Sequence, residues 1–157
     1  MLRVLTGLAA IAVCATLVLA QNTDVISQRQ EAMDNIARAG REPFKMLKGE
    51  LPFDLAKVQA TLQTYQEQGS KLKNLFPPDS KTGGNTEAKP KIWEARADFD
   101  KAIDAFLTTA RNAASSIKDE ASFKVEYPNV TKSCGNCHKN TDGFAPNLSE
   151  SLKNVPN

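Results

Sequence analysis

Three residues near the C-terminal end have the types and the spacing for covalent attachment of a cofactor. They form the run Cys134-Gly135-Asn136-Cys137-His138, a C-x-x-C-H motif. Cysteines at positions i and i+3 of a helical turn present both thiols on one side, where they can add to the two vinyl groups of haem. The imidazole of the next residue can then bind the iron. The motif predicts one covalent haem c on Cys134 and Cys137, with His138 as an axial ligand.

Three other kinds of site could use these residues: a zinc site, a thioredoxin-like redox site and a disulfide. A zinc site needs about four ligands, and with 1 histidine in the chain a carboxylate would have to complete the set. A thioredoxin-like C-x-x-C needs a preceding strand in a βαβ setting, and no strand pattern precedes it. A disulfide explains the two cysteines but not the adjacent histidine. We therefore expect haem.

The other axial ligand can be narrowed by counting. His138 is the only histidine, which excludes bis-histidine ligation within one chain, and no methionine follows it. Without the first twenty residues, which are predicted to be cleaved, the remaining methionines are Met33, on the inward face of a predicted helix, and Met46, in a predicted connector. We expect Met33 to bind the iron opposite His138. The alternative is that Met33 only packs in the core and the iron stays five-coordinate.

The first twenty residues are predicted to be a secretory signal peptide. Arg3 precedes an apolar run that ends at Ala20, and the sequence turns polar at Gln21. The run is short for a permanent membrane anchor. Cleavage after Ala20 would remove Cys14, lower the formal net charge from +2 to +1 by removing Arg3, and leave residues 21–157 as one exported domain in the periplasm of a bacterium, with no stable membrane span.

Apolar residues recur at helical spacing in four stretches, and no β-strand pattern appears. The expected fold class is therefore all-α, an antiparallel four-helix bundle around one covalently bound haem c. The predicted helices span residues 24–39, 54–76, 91–117 and 119–138, and Asp54 is a plausible N-cap of the second. Arg29, Tyr65 and Tyr127 fall on the inward faces of the first, second and fourth helices. A connector from Gly40 to Pro52 and an exposed polar loop from Pro77 to Pro90 join them, and Pro128 should kink or split the last helix.

Composition excludes some functions. Of 157 residues, 41% are hydrophobic, enough for one core, and no concentrated run of Lys and Arg indicates nucleic-acid binding. The chain shows no general base or substrate cleft of the usual kinds, so we do not expect an enzyme. Redox proteins are the expected partners, and they are not identified by the sequence.

Beyond the haem motif, three short runs resemble those of a known family. They are Arg29-Gln30 with Ala32-Met33, then Leu51-Pro52-Phe53-Asp54, then Pro90-Lys91-Ile92-Trp93. In combination the chain resembles the class II cytochromes c, the cytochrome c′ family, and within it the low-spin branch with His/Met ligation. The resemblance implies that Met33 takes the position facing the iron and that Arg29 lies near a haem propionate. It also implies that a homodimer through the first two helices is an option beside a monomer.

Two functions follow from these expectations. The first is a periplasmic mono-haem c-type cytochrome that transfers electrons through a His/Met-ligated iron. The second is a five-coordinate protein similar to cytochrome c′ that binds small gases such as NO or CO. The occupancy of the iron face opposite His138 separates them.

Overall fold

The computed structural model describes the backbone of residues 8–138 and the side chains of residues 23–138. The predicted cleavage site and the tail after His138 therefore lie outside the described side chains. Within the described range all regular structure is helical: α1 (Leu8–Leu47), α2 (Leu55–Leu72), a 3₁₀ turn (Pro78–Ser80), α3 (Lys91–Glu94), α4 (Arg96–Ser116) and α5 (Glu120–Cys137). None of these helices carries an apolar stretch long enough to span a membrane.

The helices form an antiparallel bundle, as the sequence predicts. α1 packs along α2, α2 along α4, and α4 along α5, whereas α1 and α5 touch at few points. The direction of α2 against α4 is fixed at both ends: Gln59 Nε2 donates to the carbonyl oxygen of Ile117 at 3.0 Å, and Lys73 Nζ pairs with Asp104 at 2.7 Å. The short α4–α5 connection then makes α5 antiparallel to α1 as well.

Side-chain caps begin two of the helices. The Asp54 carboxylate accepts the Lys57 N–H at 3.1 Å, which confirms the predicted N-cap of α2. Asp119 and Ser122 form a capping box at the start of α5. These caps explain why α2 and α5 begin where they do, because each supplies an acceptor to a backbone N–H that has no partner within the helix.

α1 continues through Pro43, so the predicted connector from Gly40 to Pro52 is wrong in its first half. Proline has no N–H to give to the carbonyl four residues earlier, which belongs to Ala39. That carbonyl instead accepts a hydrogen bond from Thr61 Oγ1 of α2 at 2.9 Å. Because α2 supplies the missing donor, the helix runs on to Leu47 and Met46 lies within its last turn.

The predicted third helix is divided at Ala95, whose backbone leaves the helical region at φ −121° and ψ 51°. The break lets two neighbouring side chains reach the end of α2. Trp93 Nε1 donates to the carbonyl oxygen of Phe76 at 3.1 Å, and the Arg96 guanidinium donates to the carbonyl oxygens of Phe76 and Lys73 at 3.0 and 2.8 Å. These acceptors lie about twenty residues upstream along the chain, beyond the reach of local periodicity.

Of the kink or split predicted at Pro128, the split is wrong, because α5 runs as one helix from Glu120 to Cys137. The carbonyl that loses its donor belongs to Lys124, which is exposed, as is Pro128 itself. Water can therefore satisfy that carbonyl, and the helix is kept in one piece by the burial of three large side chains on its inner face, Phe123, Tyr127 and Val130.

The first prediction concerns the bridge across Pro43. Thr61→Val keeps the shape of the side chain but leaves the Ala39 carbonyl without a donor, so we expect a loss of about 1–2 kcal/mol in the free energy of unfolding, measured by urea denaturation. Pro43→Ala restores the backbone N–H. In the Thr61→Val background it should recover part of the loss, and a Thr61→Val variant as stable as the wild type would contradict this account of α1.

Candidate functional site

The cysteine and histidine side chains of the motif come together at the C-terminal end of α5. Cys134 and Cys137 are free, half-buried thiols on its last turn, and His138 caps the helix, its backbone N–H donating to the Cys134 carbonyl oxygen at 3.2 Å. Burial raises the pKa of Cys134 to about 11, with a further contribution from Cys137, and burial also raises the pKa of Cys137. Before haem is attached, both cysteines are therefore neutral thiols at neutral pH, next to each other on the last turn of α5.

A hydrogen-bonded pair of tyrosines lies beside Cys134. The hydroxyls of Tyr65 on α2 and Tyr127 on α5 are 3.1 Å apart, and both side chains are buried. Burial raises the pKa of Tyr127 to about 12 and that of Tyr65 well above its usual value, and the Cys134 sulfur is close enough to raise both further. The pair therefore joins α2 to α5 next to the predicted attachment site.

The Gly40 backbone of α1 packs closely against this tyrosine pair. A Cβ at position 40 would collide with the Tyr65 hydroxyl and would lie 3.8 Å from the Tyr127 hydroxyl. Only a residue without a side chain allows this approach of the tyrosines to the α1 backbone. The Gly40 backbone and the Tyr127 hydroxyl are thus at the same height along the bundle axis, on two helices that run in opposite directions.

This common height sets the register between α1 and α5. Met33 precedes Gly40 by seven residues, and Cys134 follows Tyr127 by seven. In antiparallel helices both steps go the same way along the bundle, by about 10 Å at 1.5 Å per residue. Met33 and Cys134 therefore both lie toward the same end of the bundle from this contact, and Arg29 and His138, each eleven residues away, lie further in that direction.

The two methionines differ in their packing. Met33 is partly buried at the edge of the core, beside a buried stripe formed by Ile26, Ala32 and Ile36. Met46, which the sequence placed in a connector, is only 5% exposed and belongs to the core at the opposite end of α1 from Arg29. Of the two, Met33 is the one whose position along α1 matches the motif on α5.

Arg29 is a buried cation whose hydrogen-bond partners are all neutral. It is 4% exposed, and its guanidinium donates to the carbonyl oxygens of Leu75 and Ser80, to the Ser80 hydroxyl and to the Thr86 hydroxyl. None of the ion pairs among residues 23–138 includes Arg29. Burial lowers its pKa, which expresses the cost of a desolvated charge without an anion.

These features fit a covalent haem. Two free thiols lie on one helical turn, the α1 and α5 helices are in contact at few points, and a buried guanidinium lacks a carboxylate among its described contacts. A porphyrin would supply apolar surface between the two helices, and its propionates would supply negative charge.

Comparison with known proteins agrees with this reading. A sequence profile described as Cytochrome C′ matches residues 24–140. The chain belongs to the cytochrome c′ family. A cytochrome c′ of Rhodopseudomonas palustris is 45% identical over 116 residues, 74% of this chain and 80% of the relative. A cytochrome c-556 of the same bacterium is 35% identical over 145 residues, 89% of this chain and 96% of the relative.

The fold agrees as well. The solved structure of cytochrome c′ from Rhodopseudomonas palustris superposes with a TM-score of 0.75 at 43% identity, covering 80% of this chain and 98% of that one. Cytochrome c′ is a standard example of the four-helix bundle. The cofactor is therefore haem c, covalently bound, and the zinc, thioredoxin-like and disulfide readings of Cys134 and Cys137 are set aside.

Two parts of this site, the tyrosine pair and the buried partners of Arg29, are not apparent from the sequence. Tyr65 and Tyr127 were predicted only as members of apolar stripes, and their hydroxyl pairing depends on the packing of α2 against α5. Ser80 and Thr86 fall in a polar loop that was expected to be exposed, yet Ser80 is fully buried under Arg29. The one sequence feature that pointed to this buried polar cluster was Arg29 itself, a charged residue at an inward position of α1.

The attachment prediction concerns the two thiols. We expect intact mass spectrometry of the exported holoprotein to show one haem that stays on the chain in acidic acetone, because two thioether bonds hold it. Cys134→Ala and Cys137→Ala should each keep at most one such bond and give less holoprotein. Release of the haem from the wild type by acidic acetone would contradict the attachment.

A further prediction concerns the tyrosines and pH. Below the ordinary tyrosine pKa of 10.0 both folded and unfolded chains hold the Tyr127 proton, whereas between there and about 12 only the folded chain does. Stability should fall as pH rises through this window, by about 1.4 kcal/mol per pH unit for each such tyrosine. Tyr127→Phe removes one of these protons, so its urea midpoint should fall less steeply than that of the wild type. Parallel curves would contradict the assignment.

Proposed function

We propose that this member of the cytochrome c′ family is an exported mono-haem electron carrier, with His138 and Met33 as the two axial ligands of the iron. The observation that carries the proposal is the register between α1 and α5. Gly40 packs against the Tyr65–Tyr127 pair, and Met33 and Cys134 each lie seven residues from that contact, toward the same end of the bundle. The remaining sulfur donor of the domain, Met46, is buried in the core at the far end of α1.

Electron transfer follows from this ligand set. When bound, a haem with His and Met ligands changes oxidation state with little rearrangement, and a Met ligand raises its potential. The protein's part is to hold both ligands on rigid helices. His138 is fixed by its place at the end of α5, and Met33 by the packing of α1 against the core. A fixed pair keeps the reorganisation on electron transfer small.

Arg29 supports the same arrangement. Arg29 and His138 each lie eleven residues from the Gly40 contact, toward the same end of the bundle, and the buried Arg29 charge has only neutral partners among the described residues. A haem propionate nearby would neutralise that charge through a charge-assisted hydrogen bond. We therefore assign Arg29 to the haem site, as the resemblance to class II cytochromes implied.

One observation favours a second function, the binding of small gases such as NO or CO at a five-coordinate iron. Met33 is only partly buried, so its thioether is less tightly enclosed than a core methionine such as Met46. A side chain at the edge of the core can shield an iron face without binding it. The relative with 45% identity is a cytochrome c′, and a cytochrome c-556 is 35% identical, so the family as a whole leaves both functions open.

The proposal includes the place of action. Cleavage of the predicted signal after Ala20 would release residues 21–157 into the periplasm, where two cysteines can be joined to haem. The redox partners are proteins that the chain does not identify, and assembly as a homodimer is compatible with the fold.

Met33→Leu tests the ligand assignment. If the Met33 thioether binds iron, this change should convert the absorption spectrum from low spin to high spin, lower the reduction potential and allow CO to bind the ferrous protein. Met46→Leu is the matched control, since it removes the other thioether and costs only core packing. A wild type that is already high spin, or a Met33→Leu spectrum identical to that of Met46→Leu, would favour gas binding.

A further inference from the structure

The segment between α2 and α3 is joined to residues 29 and 30 of α1 by hydrogen bonds. Arg29 donates 3.0 Å hydrogen bonds to the Ser80 hydroxyl and to the Ser80 carbonyl oxygen, and a further bond to the Thr86 hydroxyl. Gln30 Nε2 donates to the Asn85 carbonyl oxygen at 2.8 Å. These bonds join residues 29 and 30 of α1 to a segment more than fifty positions downstream.

An apolar contact strengthens the tie. Gly84, with a positive φ of 52°, lies against Ile26, so that a Cβ there would be 3.6 Å from Ile26 Cγ2. Ile26 is itself buried. The segment thus covers α1 from residue 26 to residue 30, with apolar contact at one end and hydrogen bonds at the other.

The other side of this segment is anchored firmly to α3 and α4. The Phe76 ring packs edge-on against Phe99 of α4 at 4.7 Å between ring centroids, and the Phe76 carbonyl accepts from Trp93 Nε1. The Arg29 guanidinium lies over the Phe76 ring, 5.0 Å from its centroid. α1 is therefore fastened to a rigid point of the bundle.

We propose that Arg29, Ser80 and Thr86 form a clamp that holds the N-terminal part of α1 in place and so controls how readily Met33 leaves its position over the haem iron. The proposal rests on the proposed function, since it concerns the residue assigned as iron ligand. Ser80 and Thr86 are positioning residues: they act on Met33 through Arg29 and α1.

The position of the clamp along α1 gives it this effect. Met33 follows Arg29 by four residues, which is one helical turn. After the proposed cleavage at Ala20, Arg29 lies about two turns from the start of the helix, in the region where helix ends fray. Loss of the clamp bonds would let fraying reach the turn that carries Met33.

The experiment uses the haem-loaded protein and two variants that leave Arg29 intact. Ser80→Ala removes one acceptor of the guanidinium, and Thr86→Val removes another without changing side-chain shape. Gln59→Ala is the control, because it breaks a comparable tie between α2 and the end of α4, where Gln59 Nε2 donates to the carbonyl oxygens of Ala114 and Ile117. Amide hydrogen exchange of residues 24–35 and the rate of CO binding to the ferrous protein are measured for all four proteins.

We expect faster exchange across residues 24–35 in Ser80→Ala and Thr86→Val, and CO binding roughly five- to tenfold faster than in the wild type, as loss of one hydrogen bond in a local opening step allows. Gln59→Ala should leave both unchanged. Unchanged exchange in the two clamp variants, or faster exchange without faster CO binding, would overturn the clamp. The wild-type spectrum reports separately on Met33 ligation: a high-spin wild type would refute the proposed function, while the CO rates would still decide whether the clamp limits access to the iron.

Discussion

The contact of Gly40 with the hydrogen-bonded pair of Tyr65 and Tyr127 limits how α1 and α5 can be placed relative to each other. α1 and α5 meet at few other points, so little else determines their register. Buried hydroxyls that satisfy each other tolerate no sliding, because a shift of either helix would leave a polar group unpaired in the core. From this contact it follows that Met33 and Arg29 on α1 lie toward the same end of the bundle as Cys134 and His138 on α5.

The rest of the bundle holds α1 and α5 in place, two helices that make few contacts with each other. α2 and α4 together supply half of the buried apolar side chains among the described residues, and their ends are joined by Gln59 at one side and Arg96 at the other. α1 is held to α2 by Thr61 and to the α2–α3 segment by Arg29. A cofactor bound between α1 and α5 would thus contact helices that the rest of the bundle already holds in place. Its covalent bonds would join it to α5, the helix with the fewest of these ties.

Local features of the sequence predicted much of this. The C-x-x-C-H motif indicated haem c because its chemistry depends only on residues next to one another, and Asp54 indicated a helix start because an N-cap acts over three residues. The predictions that failed depend on distant partners. α1 passes Pro43 because Thr61 supplies a donor from another helix, and the break at Ala95 serves bonds to the end of α2. Periodicity placed Met33 and Arg29 on the inward face of α1, but only the packed structure shows that they lie toward the same end of the bundle as Cys134 and His138.

The central claim is that Met33 and His138 hold the iron from opposite sides. The absorption spectrum of the purified wild-type holoprotein in the ferric and ferrous states tests it most directly. The account predicts a six-coordinate, low-spin spectrum in both oxidation states that addition of CO to the ferrous protein alters only slowly. A five-coordinate, high-spin ferrous spectrum that converts at once with CO would contradict it.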